Sequence, residues 1–108
     1  MMENKKLNLS DFLGGWLVGD FNPSLIKTDE LEVGIKIIPA GTLGDGHYHK
    51  VATEYTIILE GHAIDNDIDY VKGGIITIKP NEKNFTKFVT ETTILIIKSK
   101  SILNDKYI

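Results

Sequence analysis

From Leu31 to the end of the chain, the hydrophobic positions fall into short segments of β type. Each segment is rich in isoleucine, valine, threonine or aromatic residues and is bounded by glycine, proline, asparagine or aspartate. The segments read LEVGIKII, TEYTIILEG, GIITIKP, NFTKFVT and TTILIIKS. This pattern predicts a chain that is built mainly from strands.

Turn-forming residues separate these segments at intervals of about ten residues. The turns are expected at Pro39–Gly41, Asp65–Asp67, Lys72–Gly74, Pro80–Glu82 and Glu91–Thr92. This spacing suits antiparallel strands in a sandwich or barrel, and it leaves no room for crossover helices. The sequence therefore predicts an all-β fold.

The amino-terminal part of the chain has a different texture. In LSDFLGGWLV, Ser10 could cap a short helical turn that Gly14 and Gly15 would end early. A chain of 108 residues sustains one hydrophobic core. We therefore expect a single domain, residues 1–108, in which residues 1–30 form a short irregular or helical flap, residues 31–98 the barrel and residues 99–108 a tail.

Composition narrows the chemistry. The chain has no cysteine, which excludes disulfides and thiolate ligands and leaves any metal to nitrogen and oxygen donors. The net charge is −3 and all twelve basic residues are lysine, so the planar arginine fork that reads guanine is missing and a nucleic-acid partner is not expected. Without a long apolar stretch or a signal-peptide pattern, we expect a cytoplasmic protein with no membrane partner.

The three histidines lie close together in GDGHYHKVATEYTIILEGH. In an extended segment, His47 and His49 leave the same face, and a tight loop could return Glu54 beside them. Two imidazoles and one carboxylate suit Fe(II), Mn(II), Ni(II) or Zn(II). Two histidines at this spacing are also common on exposed strands, where they are merely solvated. His62, at the expected turn, is predicted to be solvated.

The histidines belong to a longer pattern, G-x5-H-x-H-x4-E-x6-G. Its positions are Gly41, His47, His49, Glu54 and Gly61. On these residues the chain resembles the cupin superfamily over residues 31–98, as a small single-domain cupin. The resemblance implies an antiparallel jelly-roll β-barrel in which the two histidines and the glutamate hold a divalent metal, Fe, Mn, Ni or Zn, inside the barrel.

The second cupin motif, G-x5-P-x-G-x2-H-x3-N, is only half present. Gly74 and Pro80 match it, whereas Glu82 replaces the glycine, Phe85 the histidine and Val89 the asparagine. Phenylalanine cannot bind a metal. The departure implies a site with three protein ligands and an open position, or a barrel that has lost its metal.

Further pocket candidates follow from strand alternation and from the motif. Thr56, Ile58 and Glu60 share the face of Glu54, while Lys36 would be a pocket residue if its side of LEVGIKII faces inward and an edge residue otherwise. By motif position, Phe85 is either an apolar pocket wall or core filling. Tyr48 points away from the metal face unless a bulge reverses it. The candidates are Lys36, Tyr48, Thr56, Ile58, Glu60 and Phe85.

Two functions fit these features. One is a metal-dependent enzyme, an oxygenase or an isomerase or epimerase, that acts on a small polar molecule. The other is a non-catalytic binding or sensory cupin for a sugar or nucleotide sugar, with a structural metal or none. The tail, KSKSILNDKYI, resembles that of small cupins in polysaccharide or nucleotide-sugar biosynthesis, which implies a carbohydrate-related ligand. No separate catalytic residue can be named.

The run of apolar residues in TTILIIKS predicts a strand covered on both faces. One face is the barrel interior. A second copy of the chain would cover the other face, as is common in the family that this chain resembles, so we predict a homodimer.

Overall fold

The structure, a computed structural model, describes residues 6–44, 46–102 and 105–107. Parts of the predicted flap and tail, residues 1–5, 103–104 and 108, lie outside the described residues. Two 3-10 turns, Leu9–Asp11 and Leu13–Gly15, come first. The strands that follow are β1 Trp16–Gly19, β2 Ile26–Lys27, β3 Leu31–Ile38, β4 Thr53–Glu60, β5 His62–Asp65, β6 Ile68–Val71, β7 Ile75–Ile78, β8 Thr86–Phe88 and β9 Thr92–Ser99.

The strands form two sheets. One has six strands in the order β2-β1-β3-β9-β4-β7, and the other has three in the order β6-β5-β8. Every pair is antiparallel except the short pairing of β1 with β2, which is parallel. The predicted all-β, antiparallel architecture is therefore confirmed. No helix in the described part of the chain is long and apolar enough to cross a membrane.

The amino-terminal segment, predicted to be a short irregular or helical flap, contributes β1 and β2 to the six-stranded sheet. Trp16 of β1 pairs with Gly34 of β3, and its indole ring lies directly over that glycine. A Cβ atom on Gly34 would come within 2.7 Å of the ring, so only glycine allows this approach. The predicted Ser10 cap is replaced by Asn8, whose backbone N–H donates to the Asp11 carboxylate at 2.9 Å.

The core lies between the two sheets. Along β4, alternate residues from Glu54 to Ile58 are buried, as the period of two requires. The central strand β9 repeats the pattern, with Ile94 and Ile96 buried. These isoleucines form the core cluster with Ala63 of β5. At its open end, the same inward face carries polar residues, and the candidate site lies there.

Candidate metal centre and adjoining cavity

Three possible metal ligands meet at the beginning of β4. His47 and His49 lie in the loop before the strand, and Glu54 is the second residue of the strand. One ligand atom from each side chain lies within 4.8 Å of the others. The two imidazole rings meet edge to face, with centroids 5.2 Å apart. The loop thus brings together the three side chains named from the sequence.

His49 is held in an orientation suited to metal binding. Its side chain is buried, and its Nδ1 forms a hydrogen bond with the backbone carbonyl oxygen of Asp105. Because a carbonyl can only accept, Nδ1 carries the proton, and in the neutral ring Nε2 keeps its lone pair. Nε2 has no hydrogen-bond partner among the described residues and lies 3.6 Å from Glu54 Oε1. A buried acceptor left in this way fits a metal ligand.

The protonation equilibria of His49 and Glu54 are coupled. The Glu54 carboxylate raises the pKa of His49 above its ordinary value, and the Asp105 carbonyl adds to this effect against the opposing effect of burial. Burial would raise the pKa of Glu54, but His49 and Lys98 outweigh it and hold that pKa below its ordinary value. Protonation of Nε2 and binding of a cation would therefore compete for the same lone pair of His49.

The tail supports this loop. The buried Asp105 carboxylate accepts hydrogen bonds from the backbone N–H groups of Lys50, Val51 and Ala52, the closest two at 2.9 Å. Burial would raise the pKa of Asp105, but these donors together hold it below its ordinary value. Asp105 therefore fixes the loop through its side chain and His49 through its carbonyl.

Tyr48 lies on the other side of this loop, away from the metal centre. Its backbone exchanges two hydrogen bonds of 2.8 Å with Tyr107, and the two rings stack with centroids 5.5 Å apart. The predicted pocket role of Tyr48 therefore has no support in its position, because no bulge reverses the side chain. Sequence reasoning missed the role of the tail, since contacts between segments this far apart leave no local pattern.

A cavity of about 210 Å³ adjoins the metal centre. Its walls include two of the candidate ligands, His47 and Glu54, and two of the predicted pocket residues, Lys36 and Thr56. Thr56 Oγ1 donates to Glu54 Oε2 at 3.3 Å and so helps to orient the carboxylate. The remaining lining residues are Trp16, Ile38, Gly44, Ile76, Asn84, Thr86, Phe88, Ile94, Ile96, Lys98 and Lys106.

Two lysines and the single tryptophan form one wall of this cavity. The ammonium groups of Lys36 and Lys98 lie 4.9 and 5.0 Å from the centre of a Trp16 ring, within cation–π range. Burial lowers the pKa of Lys36, and the positive charge of Lys98 lowers it further. Trp16 thus lines the cavity and also packs over Gly34.

No family model and no curated protein matches the chain. Solved structures do match it. KdgF from a Halomonas species aligns with TM-score 0.65 at 12% identity, covering 72% of this chain and 76% of its own. The DMSP lyase DddQ from Ruegeria pomeroyi DSS-3 aligns with TM-score 0.65 at 17% identity, over 76% of this chain and 44% of the lyase. A cupin protein from Bacteroides fragilis aligns with TM-score 0.54 at 26% identity, over 68% and 69% of the two chains.

The protein has the cupin fold. The resemblance inferred from the first motif is thereby confirmed at the level of architecture, with the two sheets forming the predicted jelly-roll barrel. The histidines and the glutamate of that motif are the group that could hold a metal ion.

The segment that corresponds to the second cupin motif differs from the geometry that the motif spacing predicts. Phe85, at the position of the usual fourth ligand, lies outside the cavity and is 61% exposed, with its ring against Gly46. The next residue, Thr86, is buried and faces inward as the first residue of β8. The inward-facing positions are therefore one residue away from those that the motif spacing predicts, and a shift of one residue turns a side chain to the opposite face.

The wall around Thr86 is closed by its own hydrogen bonds. Thr86 Oγ1 donates to Asp65 Oδ1 at 2.7 Å, and Asn84 Nδ2 donates to Thr86 Oγ1 at 2.9 Å. Asp65 is buried on β5, so its carboxylate is used within this group. The polar side chains near the position expected for a fourth ligand thus form hydrogen bonds with one another.

Two predicted pocket residues on β4 lie elsewhere. Ile58 is fully buried in the core and does not line the cavity. Glu60 lies on the surface, with Oε1 3.1 Å from Lys72 Nζ, because the pairing of β4 with β9 shifts register between Ile58 and Glu60 and ends the alternation. His62, the first residue of β5, is partly exposed, and its Nε2 lies 2.6 Å from Asp69 Oδ1.

Proposed function

We propose that this protein is a metal-dependent enzyme that acts on a small polar molecule, with His47, His49 and Glu54 as the metal ligands. The observation that carries the proposal is the buried Nε2 of His49, which has no hydrogen-bond partner among the described residues and lies 3.6 Å from Glu54 Oε1. Imidazole and carboxylate donors fit Fe(II), Mn(II), Ni(II) or Zn(II).

A divalent metal bound by these ligands would supply Lewis acidity toward a substrate oxygen. The chain supplies the rest of the environment. Ile38, Phe88 and Ile94 exclude water from part of the cavity, while Lys36 brings a positive charge to its wall. Three protein ligands leave coordination positions open, which is the arrangement of catalytic rather than structural metal sites.

The size of the cavity supports a small substrate. The cavity volume of about 210 Å³ lies below the 300–1,000 Å³ typical of sites for drug-sized ligands. A nucleotide sugar needs a site of at least that typical size. A single sugar or a short organic acid is more compatible with this volume. The lyase activity in the name of DddQ, which shares the fold, supports an enzymatic rather than a purely sensory use of the barrel.

The test is elemental analysis of protein purified without added metal or chelator. We expect about one Fe, Mn, Ni or Zn per chain in the wild type and none in His49→Ala. His62→Ala is the matched control because it also removes an imidazole but lies outside the cavity; its metal content should equal that of the wild type. A wild type that binds none of the four metals, even after reconstitution, would refute the proposal.

The outer face of the six-stranded sheet supports a homodimer. Ile35, Leu95, Ile57 and Ile75 lie in register across four neighbouring strands, on the face opposite the cavity. Ile75 is 54% exposed, so this apolar row is not fully covered within one chain. Sedimentation at micromolar concentration should give twice the chain mass of 12.1 kDa, and Ile75→Lys should reduce it to one chain. A wild-type mass of one chain would contradict the proposal.

A further inference from the structure

The charge in the cavity is opposite in sign to that of the whole chain. The formal net charge of the protein is −3, yet the cavity lining contains three lysines and, among the described residues, a single carboxylate, that of Glu54. The lysines are Lys36, Lys98 and Lys106. A divalent metal would add further positive charge. A cavity with low-dielectric walls concentrates such a field, so it favours a negatively charged ligand.

The two lysines beside Trp16 differ in their partners. Lys98 Nζ lies 4.0 Å from Glu32 Oε1, and Glu32 is itself fixed by Ser101, whose Oγ donates to Oε2 at 2.8 Å. In the part of the chain that the structure describes, Lys36 forms no ion pair with a carboxylate and contacts the Trp16 face. Of the two lysines beside Trp16, Lys36 is therefore the one that an incoming anion could pair with.

The position of Lys36 is fixed by the fold. It lies on β3, two residues beyond Gly34, and shares the inward face with it. Trp16 occupies the space over Gly34, and a ring of its indole lies within 5.0 Å of the ammonium groups of both Lys36 and Lys98. The indole ring of Trp16 thus contacts two like charges in one wall of the cavity. An anion bound beside these two ammonium groups would reduce their repulsion.

We propose that the cavity binds a small carboxylate whose charged group pairs with Lys36 beside Trp16. The placement of the rest of the ligand, which would extend toward His47 and Glu54, rests on the proposed function. The substrate class is thereby narrowed to short organic acids, including acids derived from sugars.

A carboxylate fits this wall better than a phosphate. The chain has no arginine, and Ile38, Phe88 and Ile94 form much of the remaining cavity surface. Phosphate sites typically combine several donors, such as arginine forks and backbone N–H groups. The ammonium group of Lys36 in a half-apolar cavity suits the single charge of a carboxylate attached to a carbon skeleton.

The only tryptophan of the chain, Trp16, lies in this wall, so its fluorescence reports on the cavity. Metal-free protein is titrated with glycolate, with its neutral analogue ethylene glycol and with inorganic phosphate. We expect saturable quenching by glycolate alone, and a loss of glycolate affinity of about tenfold or more in Lys36→Met, which keeps an apolar side chain of similar length. Lys72→Met, a surface lysine paired with Glu60, is the matched control and should bind as the wild type does.

The same titration in His49→Ala separates this proposal from the metal. Glycolate binding that persists in His49→Ala and is lost in Lys36→Met supports the anion site even if no metal is ever found. Equal binding of ethylene glycol, tighter binding of phosphate, no binding of glycolate, or unchanged affinity in Lys36→Met would each overturn it. Metal in the wild type together with any of those results would leave the proposed metal centre standing.

Discussion

The two polar walls of the cavity contain similar side chains but use them differently. At the first wall, His47 and Glu54 line the cavity and converge with His49, whose Nε2 is left without a hydrogen bond among the described residues. At the second wall, Thr86 lines the cavity and donates at 2.7 Å to Asp65, which is also buried but does not line the cavity. The availability of a ligand atom, rather than the number of polar residues, thus distinguishes a metal site from a polar core.

The largest effect should come from removing a carboxylate on each wall in turn. We expect Glu54→Gln to weaken Zn(II) affinity by more than about 100-fold, because a direct ligand is worth more than the outer contacts that cost 10–100-fold. Asp65→Asn should leave the affinity unchanged, since this carboxylate lies with Thr86 and Asn84. Competition with a chromophoric chelator measures both. Equal losses in the two variants would mean that the walls share the metal.

A smaller loss of metal affinity should follow from freeing the loop. In Asp105→Ala, three backbone N–H groups lose their acceptor. We expect Zn(II) affinity to fall by about 10- to 100-fold, and the free energy of unfolding of the metal-free protein to fall by about 1–3 kcal/mol. Asp105→Asn retains one carbonyl acceptor and should lie between this variant and the wild type. Unchanged affinity in Asp105→Ala would show that His49 needs no support from the tail.

The second wall should affect stability alone. Thr86→Val preserves the shape of the side chain but removes the hydroxyl that donates to Asp65 and accepts from Asn84. The free energy of unfolding in urea should fall by about 1–3 kcal/mol because a buried carboxylate loses a partner. Metal content should remain that of the wild type. A variant that also loses its metal would place Thr86 in the metal site.

The smallest effect is expected at the position of the missing motif histidine. Phe85 points outward and is 61% exposed, so Phe85→His should add no ligand and should leave Zn(II) affinity unchanged. Chelator competition on this variant and on the wild type tests the point. A tenfold gain in affinity would show that the side chain at position 85 can reach the metal after all.

Much of the architecture could be predicted from the sequence because strand alternation and turn residues are local signals. The grouping of His47, His49 and Glu54 could be predicted as well, since a fixed spacing within one short segment encodes it. The motif spacing misplaced Phe85 because an irregular approach to β8 shifts the inward positions by one residue. Alternation likewise misplaced Glu60, because the register shift near the end of β4 turns its side chain outward.

Long-range contacts account for what the sequence could not show. The contact of Trp16 with Lys36 and Lys98 depends on β1 pairing beside β3, and nothing in the pattern near Trp16 indicates that pairing. The hydrogen bond between the tail and His49 joins residues whose own neighbourhoods are unremarkable in composition. Such contacts follow from topology, which a pass along one sequence does not determine.

The hydrogen bond between His49 and Asp105 joins positions separated by 56 residues. Closing so long a segment has an entropic cost, which the packing of the completed barrel offsets in the native state. An unfolded chain does not present a preformed ligand group, and a cation would therefore select the native state over the denatured ensemble. By mass action the apparent melting temperature would then rise with the concentration of free metal, which makes thermal denaturation an independent way to measure occupancy of the site.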